Sequence, residues 1–533
     1  MKNIDNVILG DMSIVRDKGV SYLNKNYFWP VSEDEFLDFS KFMHDEYINV
    51  SKQTSNSELN DIATVEFSFV KQLLQIFHYN YVKKYAEKNS LELITGKDSE
   101  ELINPNWNKI KSYYSGLEFP RNKLLRVIRR IARNILFNSH VSFIKIVQGI
   151  LFGSNRISVG SNDQIKREFI RKNKVFYDHI DWPELLDKNT KILNNHNDFK
   201  DLFLNKIINP YFEKLRKHNS FFVKDIDFVK ITEVWSTRVF EAYLIYSKLK
   251  SSVDSSELLL TEISKPIGKL ITVAYQSKGC KVYCFHHGND AVLTIQNQTF
   301  SSNESQCYKF VTPTSGIADR YKRHYSNVPR ISKSYTEFFS INSRLMYDLY
   351  LYNARRHIDK NTETIMLIGY PFNSTRYVGG RGLFFYQRID LEYRLINFLK
   401  SKNKSVIYKA HPDRFDEVNG VFNDIVDEII VEPFEEVWSK ADSLLFKLTY
   451  TNTERYAILD YMAQNDWGRW DYSAFNSPDG RLSNYEGIEV VAAYAISEKL
   501  NLVAKYYWIE QLVPIGLFSE NGQRLRLDLN VSL

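Results

Sequence analysis

Two short apolar runs in this chain each end abruptly at a histidine, and the two histidines lie about 125 residues apart. The first run is Lys281-Val282-Tyr283-Cys284-Phe285, followed by His286-His287-Gly288. The second is Ser405-Val406-Ile407-Tyr408-Lys409, followed by Ala410-His411-Pro412. Runs rich in Val, Ile, Tyr and Phe predict strands covered on both faces, as in a parallel sheet flanked by helices. Such sheets bind ligands outside the carboxyl ends of their strands. Two ends of this kind in separate segments predict an α/β chain with two half-sites serving one cleft.

At 533 residues the chain is too long for one ordinary core, so two or three domains are expected. Net charge is only +6 at this length, which gives no argument for a nucleic-acid partner. The cysteines are Cys280, Cys284 and Cys307, with no CxxC pair, so no disulfide framework or zinc site is predicted. The N-terminal Met1-Lys2-Asn3-Ile4-Asp5 has no apolar signal core. No run of ~18 apolar residues predicts a membrane-spanning helix. The expected location is the cytoplasm.

Residues 4–12 predict a short strand, and 33–250 read as mostly helical. Phe67–Ala86 has a wide apolar face. Pro120 opens a predicted helix over 121–152, whose Arg121, Lys123, Arg126, Arg129, Arg130 and Arg133 suit either an anionic membrane surface or an ordinary cationic face on a helical core. A further helix is predicted over 236–250, after Trp235. The organisation expected is a helical, acceptor-side region over 1–256, then two Rossmann-like lobes over 257–335 and 364–446. Residues 326–363 connect the lobes. Residues 455–533 change style. Leu525, Leu527, Leu529, Val531 and Leu533 alternate with polar residues, as in antiparallel hairpins and outer-membrane barrels.

Candidate chemistry lies at the predicted strand ends. In His286-His287-Gly288-Asn289-Asp290, imidazole can donate to a phosphate or sugar oxygen or act as a base, and glycine admits close approach. Lys409, His411 and Arg414 can neutralise phosphate around Pro412. Glu432 follows a strand and suits either ribose hydroxyls or helix capping. Gly369 opens a loop with Asn373 and Ser374 that could cradle a phosphate on its backbone donors. Glu262, Asp225 and Asp227 are candidate carboxylates for base or nucleophile roles. No HExxH, nucleophile elbow or metal-spaced acidic pair is present.

With His286-His287-Gly288 in one lobe, and Lys409-Ala410-His411-Pro412 and Glu432-Pro433-Phe434 in the other, the chain resembles bacterial glycosyltransferases of the GT-B fold. The likeness is to enzymes of capsule and lipopolysaccharide assembly, including Kdo-transferase-like and O-antigen transferases. It implies a nucleotide-sugar donor, CMP- or UDP-linked, with no essential metal or other cofactor, and a polysaccharide or lipid-linked acceptor. His411, Lys409 and Arg414 would hold the donor phosphate and Glu432 the ribose. His286 or His287, with Asp290 and Glu262, would lie near the reacting carbon. Thr451, in Thr449-Tyr450-Thr451-Asn452-Thr453, matches a Ser/Thr-rich donor loop of that family. The second lobe is then incomplete, because the last 80 or so residues resemble the end of a porin-like barrel. That implies an alternative: an inactive fragment, or a chimera joined near 447–460.

Overall fold

A computed structural model describes most of residues 30–344, apart chiefly from 118–129, 187–196 and 287–299. It also describes 7–9, 363–369, 385–410, 421–432, 437, 440, 445–449, 485–497, 500–511 and 522–531. The chain divides into two compact units. One comprises Phe39–Phe77 with Pro105–Met346; the other comprises Met1–Asp38, His78–Asn104 and Tyr347–Leu533. Each contains its own α/β sheet.

The main helices, in chain order, are α1 (Glu33–Lys52), α2 (Ser57–Asn89), α3 (Lys97–Ile103), α4 (Trp107–Lys111), α5 (Phe143–Phe152), α6 (Gln164–Asn173) and α7 (Trp182–Leu186). They continue with α8 (Asn197–Phe203), α9 (Asn209–Lys217), α10 (Phe228–Ser252), α11 (Pro266–Gln276), α12 (Ser315–Tyr325) and α13 (Phe385–Ser401). In the first unit α2, α9 and α10 bury Phe67, Phe69, Tyr211 and Trp235 together with Tyr47 of α1. At the centre of that layer Glu66 is fully buried and accepts from Arg238 Nε (2.9 Å), Tyr114 Oη (2.7 Å) and Trp235 Nε1 (3.1 Å). A buried charge survives only with such complete satisfaction. Helix α10 starts at Phe228, ahead of the expected 236, because Asp227 caps it by accepting from Lys230 N at 2.9 Å. Asp225 turns the chain with φ 62°. Of the two candidate carboxylates, that of Asp227 thus caps a helix.

The first unit's sheet contains β3 (Arg156–Val159), β4 (Asp178–Ile180), β5 (Glu257–Leu260), β6 (Lys281–Phe285), β7 (Lys309–Thr312) and β8 (Glu337–Ser340). All pair in parallel, in the order β4-β3-β5-β6-β7-β8. The lobe therefore opens at Arg156 rather than at 257, and β8 lies inside the stretch expected to be a connection. Strands of three or four residues with charged ends carry too little apolar pattern to be read as strands. On one face Phe169, Leu259, Phe285 and Val311 form a common core.

The expected helix over 121–152 is interrupted. Residues 130–135 are helical, 138–140 turn, and α5 begins at Phe143. The cause is the sheet edge. Asn134 donates to His179 O (3.1 Å) and accepts from His179 N (2.7 Å). Asn138 does the same with Tyr177, at 2.9 and 3.0 Å. Asparagines one helical turn apart match alternate residues of an extended chain, so two side-chain amides close the β4 edge as a neighbouring strand would. Arg130 pairs with Asp178 and Glu184, and Arg133 with Asp181. These two cations are therefore committed within the unit.

In the second unit β9 (Thr364–Ile368), β10 (Ser405–Lys409), β11 (Glu428–Ile430) and β12 (Leu445–Thr449) are parallel, in the order β11-β10-β9-β12. Beyond β12 the sheet turns antiparallel through β13 (Tyr485–Ser497), β14 (Leu500–Gln511) and β15 (Gly522–Val531). The expected hairpin strands are there; of the expected junction near 447–460, residues 447–449 belong to β12 and the rest lie outside the described residues. A separate parallel pair joins β1 (Val7–Leu9) to β2 (Glu92–Ile94). Among the described residues no helix is long and apolar enough to cross a membrane.

Candidate functional site

Numbered within themselves, the six strands of the first sheet run 2-1-3-4-5-6 and the four parallel strands of the second run 3-2-1-4, the orders of doubly wound folds. In each, successive strands are added first to one side and then to the other. The place where the direction reverses leaves a crevice at the carboxyl ends, and ligands bind there. The first sheet reverses between β3 and β5, the second between β9 and β12.

At the first reversal Gly160, with φ 86°, turns the chain out of β3. Thr261, just after β5, donates from Oγ1 to Ser161 O at 3.1 Å, tying the two strand ends together. Asp163 caps α6 by accepting from Lys166 N at 2.8 Å. The Lys166 side chain is fully buried, and its Nζ donates to Val159 O (2.9 Å) and Ser161 O (3.2 Å). Ser158 and His179 are cross-strand partners whose Oγ and Nδ1 lie 3.2 Å apart. Burial, followed by the charge of Lys166, lowers the His179 pKa from 6.5 to about 4. It is therefore neutral at pH 7.

His286 continues β6. Its N–H donates to Val311 O at 2.8 Å, and its buried ring faces Phe310 and Tyr321. Two residues back on β6, Cys284 is buried near Lys269 of α11. Lys269 Nζ donates to Asn303 Oδ1 at 2.6 Å. Burial, reinforced by the nearby Lys71, pushes the Lys269 pKa well below that of an ordinary lysine. Lys71 itself falls to about 8, also through burial. Strongly perturbed lysines mark functional candidates. Sequence reading missed this pair because each lysine lies in an otherwise unremarkable helical stretch.

At the second unit's carboxyl edge, Lys409 is buried and its Nζ donates to Ala410 O (2.6 Å) and Val431 O (3.3 Å). The ammonium thus ties the ends of β10 and β11 together. Glu432 is exposed and accepts at Oε2 from Val431 N at 3.0 Å. Hydrogen bonds from the backbone N–H groups of Glu432 and Val431 lower its pKa. Gly369 lies at the end of β9 for a packing reason: a Cβ there would run into the Tyr408 ring, whose hydroxyl donates to the buried Glu392 at 2.7 Å. Gly369 also donates its N–H to Lys409 O at 2.9 Å.

His286, Lys409, Glu432 and Gly369 are thus all at carboxyl edges. Glu262, His287, Asp290, Asn373, Ser374, His411, Arg414 and Thr451 lie outside the described residues. Among the described residues no His, Cys, Asp and Glu cluster is arranged to hold a metal ion. Comparison with protein-family models, curated proteins and solved structures gave no match.

Proposed function

We propose that this chain is a nucleotide-sugar-dependent glycosyltransferase acting on a cell-surface polysaccharide or a lipid-linked glycan, at the cytoplasmic face of the inner membrane. The observation that carries this reading is the presence of two α/β sheets in one chain, each with a strand-order reversal and polar residues at its carboxyl edge. The donor belongs to the second unit. Its reversal lies between β9 and β12, and Asn373, Ser374 and Thr451 follow those two strands in sequence. In this reading His411 and Arg414, which follow β10, meet the donor phosphate, Lys409 fixes the ends of β10 and β11, and Glu432, which follows β11, takes the ribose. In the first unit His286, His287, Asp290 and Glu262 serve the acceptor hydroxyl, one of them removing its proton as the anomeric carbon exchanges the phosphate oxygen for the acceptor oxygen.

A ligand that binds only the folded state raises apparent stability. CMP- and UDP-sugars at about 100 times their Kd should stabilise the chain by about 2.7 kcal/mol in thermal unfolding. His411→Ala should abolish that gain. Absence of stabilisation by any nucleotide or nucleotide sugar overturns the reading. One observation favours a second reading, in which the chain is an inactive transferase or a chimera: the donor sheet turns antiparallel after its fourth parallel strand. Nucleotide binding without turnover on any glycan acceptor supports that reading.

A further inference from the structure

Helix α5 is built the wrong way round for a helix facing water. A surface helix normally turns its polar residues outward. The ten residues Phe143-Ile144-Lys145-Ile146-Val147-Gln148-Gly149-Ile150-Leu151-Phe152 include one charge, and only Ile146 is fully buried. Phe143 is 67% exposed, Ile144 70%, Leu151 70% and Phe152 85%. Ile144, Gln148, Leu151 and Phe152 follow helical spacing, so they form one outward stripe with Lys145 at its border. The opposite side is seated: the Phe176 ring lies so close to Gly149 that no Cβ would fit. The helix is thus held in place while its most apolar side chains face out. Contiguous exposed apolar surface of this kind marks an interaction site.

Charge identifies the partner. Residues 119–162 contain eight Lys or Arg and no Asp or Glu. Arg130 and Arg133 are committed to Asp178, Glu184 and Asp181, but Lys145 at the stripe itself is exposed. Next to the helix, the segment that carries Phe176 also exposes Arg171 and Lys174. His140, just before α5, places Nε2 3.2 Å from Val175 O, holding that basic segment against the start of the helix. Apolar side chains bordered by cations, with no acidic residue over 119–162, match the headgroup region of an anionic bilayer. We infer that α5 is a monotopic membrane anchor, which lays Ile144, Leu151 and Phe152 into the acyl boundary of an anionic membrane while Lys145, Arg171 and Lys174 meet its headgroups. The inference goes beyond glycosyl transfer and does not depend on it. It also moves the expected membrane contact from the basic face of 121–152 to the apolar face of α5.

The test is co-sedimentation of the full-length chain with vesicles of phosphatidylglycerol and phosphatidylethanolamine, and separately with phosphatidylcholine vesicles. Binding to the anionic vesicles is expected, weakening as salt rises. The double change Leu151→Ser and Phe152→Ser should lower vesicle affinity at least ~10-fold, since each removes deeply inserted apolar area. Ile144→Ser with Lys145→Glu, at the other end of the stripe, should act in the same direction. Val229→Ser removes an equally exposed apolar residue on α10 and should change nothing. Unchanged circular dichroism ties any loss to the face and not to misfolding. Failure of the unaltered chain to bind, equal binding to phosphatidylcholine, or undiminished binding by both double variants overturns the inference. So does a light-scattering result in which the unaltered chain is a dimer and the variants are monomers, since a second copy would then cover the stripe.

Discussion

The two sheets solve one problem alike and another differently. At the carboxyl end of a parallel strand the last carbonyls have no strand partner. In both units a buried lysine takes them: Lys166 binds Val159 and Ser161, and Lys409 binds Ala410 and Val431. The sheets differ at their flanks. The first closes its β4 edge with the amides of Asn134 and Asn138, while the second extends beyond β12 into three antiparallel strands. A lysine at a strand end is therefore no sign of a phosphate site by itself, because half-satisfied backbone carbonyls can recruit it as well as a ligand can. The flanks teach the converse: side chains can stand in for a strand where the chain supplies none.

The largest expected effect breaks the flank comparison. Asn134→Ala with Asn138→Ala removes, among others, the four hydrogen bonds to the backbone of Tyr177 and His179 and leaves those buried groups at the β4 edge unpaired, a loss of about 4 kcal/mol. Hydrogen exchange should rise across β4 and β3 and stay unchanged in β9 and β10. Next is acid. His179 has a folded pKa of about 4 against an ordinary 6.5, so the unfolded chain binds the proton more readily. Its contribution is complete above pH 6.5 and is lost as pH falls toward 4, about 3 kcal/mol in all. The first sheet should weaken over that window, as read by the pH dependence of exchange in β3 and β4. A flat profile would mean that His179 is not held neutral. The lysines come third. Lys166→Met and Lys409→Met should each cost about 2 kcal/mol, each confined to its own sheet. If Lys409→Met instead spares stability and abolishes nucleotide binding, Lys409 is a ligand and the likeness between the sheets fails.

How much of this could be read in the sequence follows from what each feature leaves in the chain. Strands β6 and β10 are apolar runs with sharp ends, and they lie where expected. The alternation of Leu525, Leu527, Leu529 and Val531 predicts β15, since strict period two leaves few alternatives. Strands β3, β4 and β8 are RISV, DHI and EFFS, too short and too charged to stand out. Missing β3 hid the first reversal point, and with it Ser161, Thr261 and Lys166. Asn134 and Asn138 read as polar positions on a basic helix, and nothing local says that they face a strand edge about 40 residues on. Gly369 was expected to open a phosphate-cradling loop, but at Gly369 itself the close neighbour is the Tyr408 ring, a contact set by tertiary packing.

The smallest effect on stability is the most telling for function. Glu432 stands at the same edge as Lys409 but is exposed, and its carboxylate accepts from the backbone N–H groups of Glu432 and Val431. Those bonds form within one or two residues, and water replaces them readily, so Glu432→Ala should leave thermal unfolding unchanged. They also hold the carboxylate ionised, its pKa lowered, at the end of β11. A pre-placed acceptor suits ribose hydroxyls. Its loss should weaken nucleotide binding about tenfold, measured by calorimetry with the nucleotide that gives the thermal shift. Lys409 and Glu432 then separate cleanly, one holding the edge and the other reading the ligand. Equal nucleotide affinity in Glu432→Ala would leave Glu432 only the capping role that its own backbone contacts already explain.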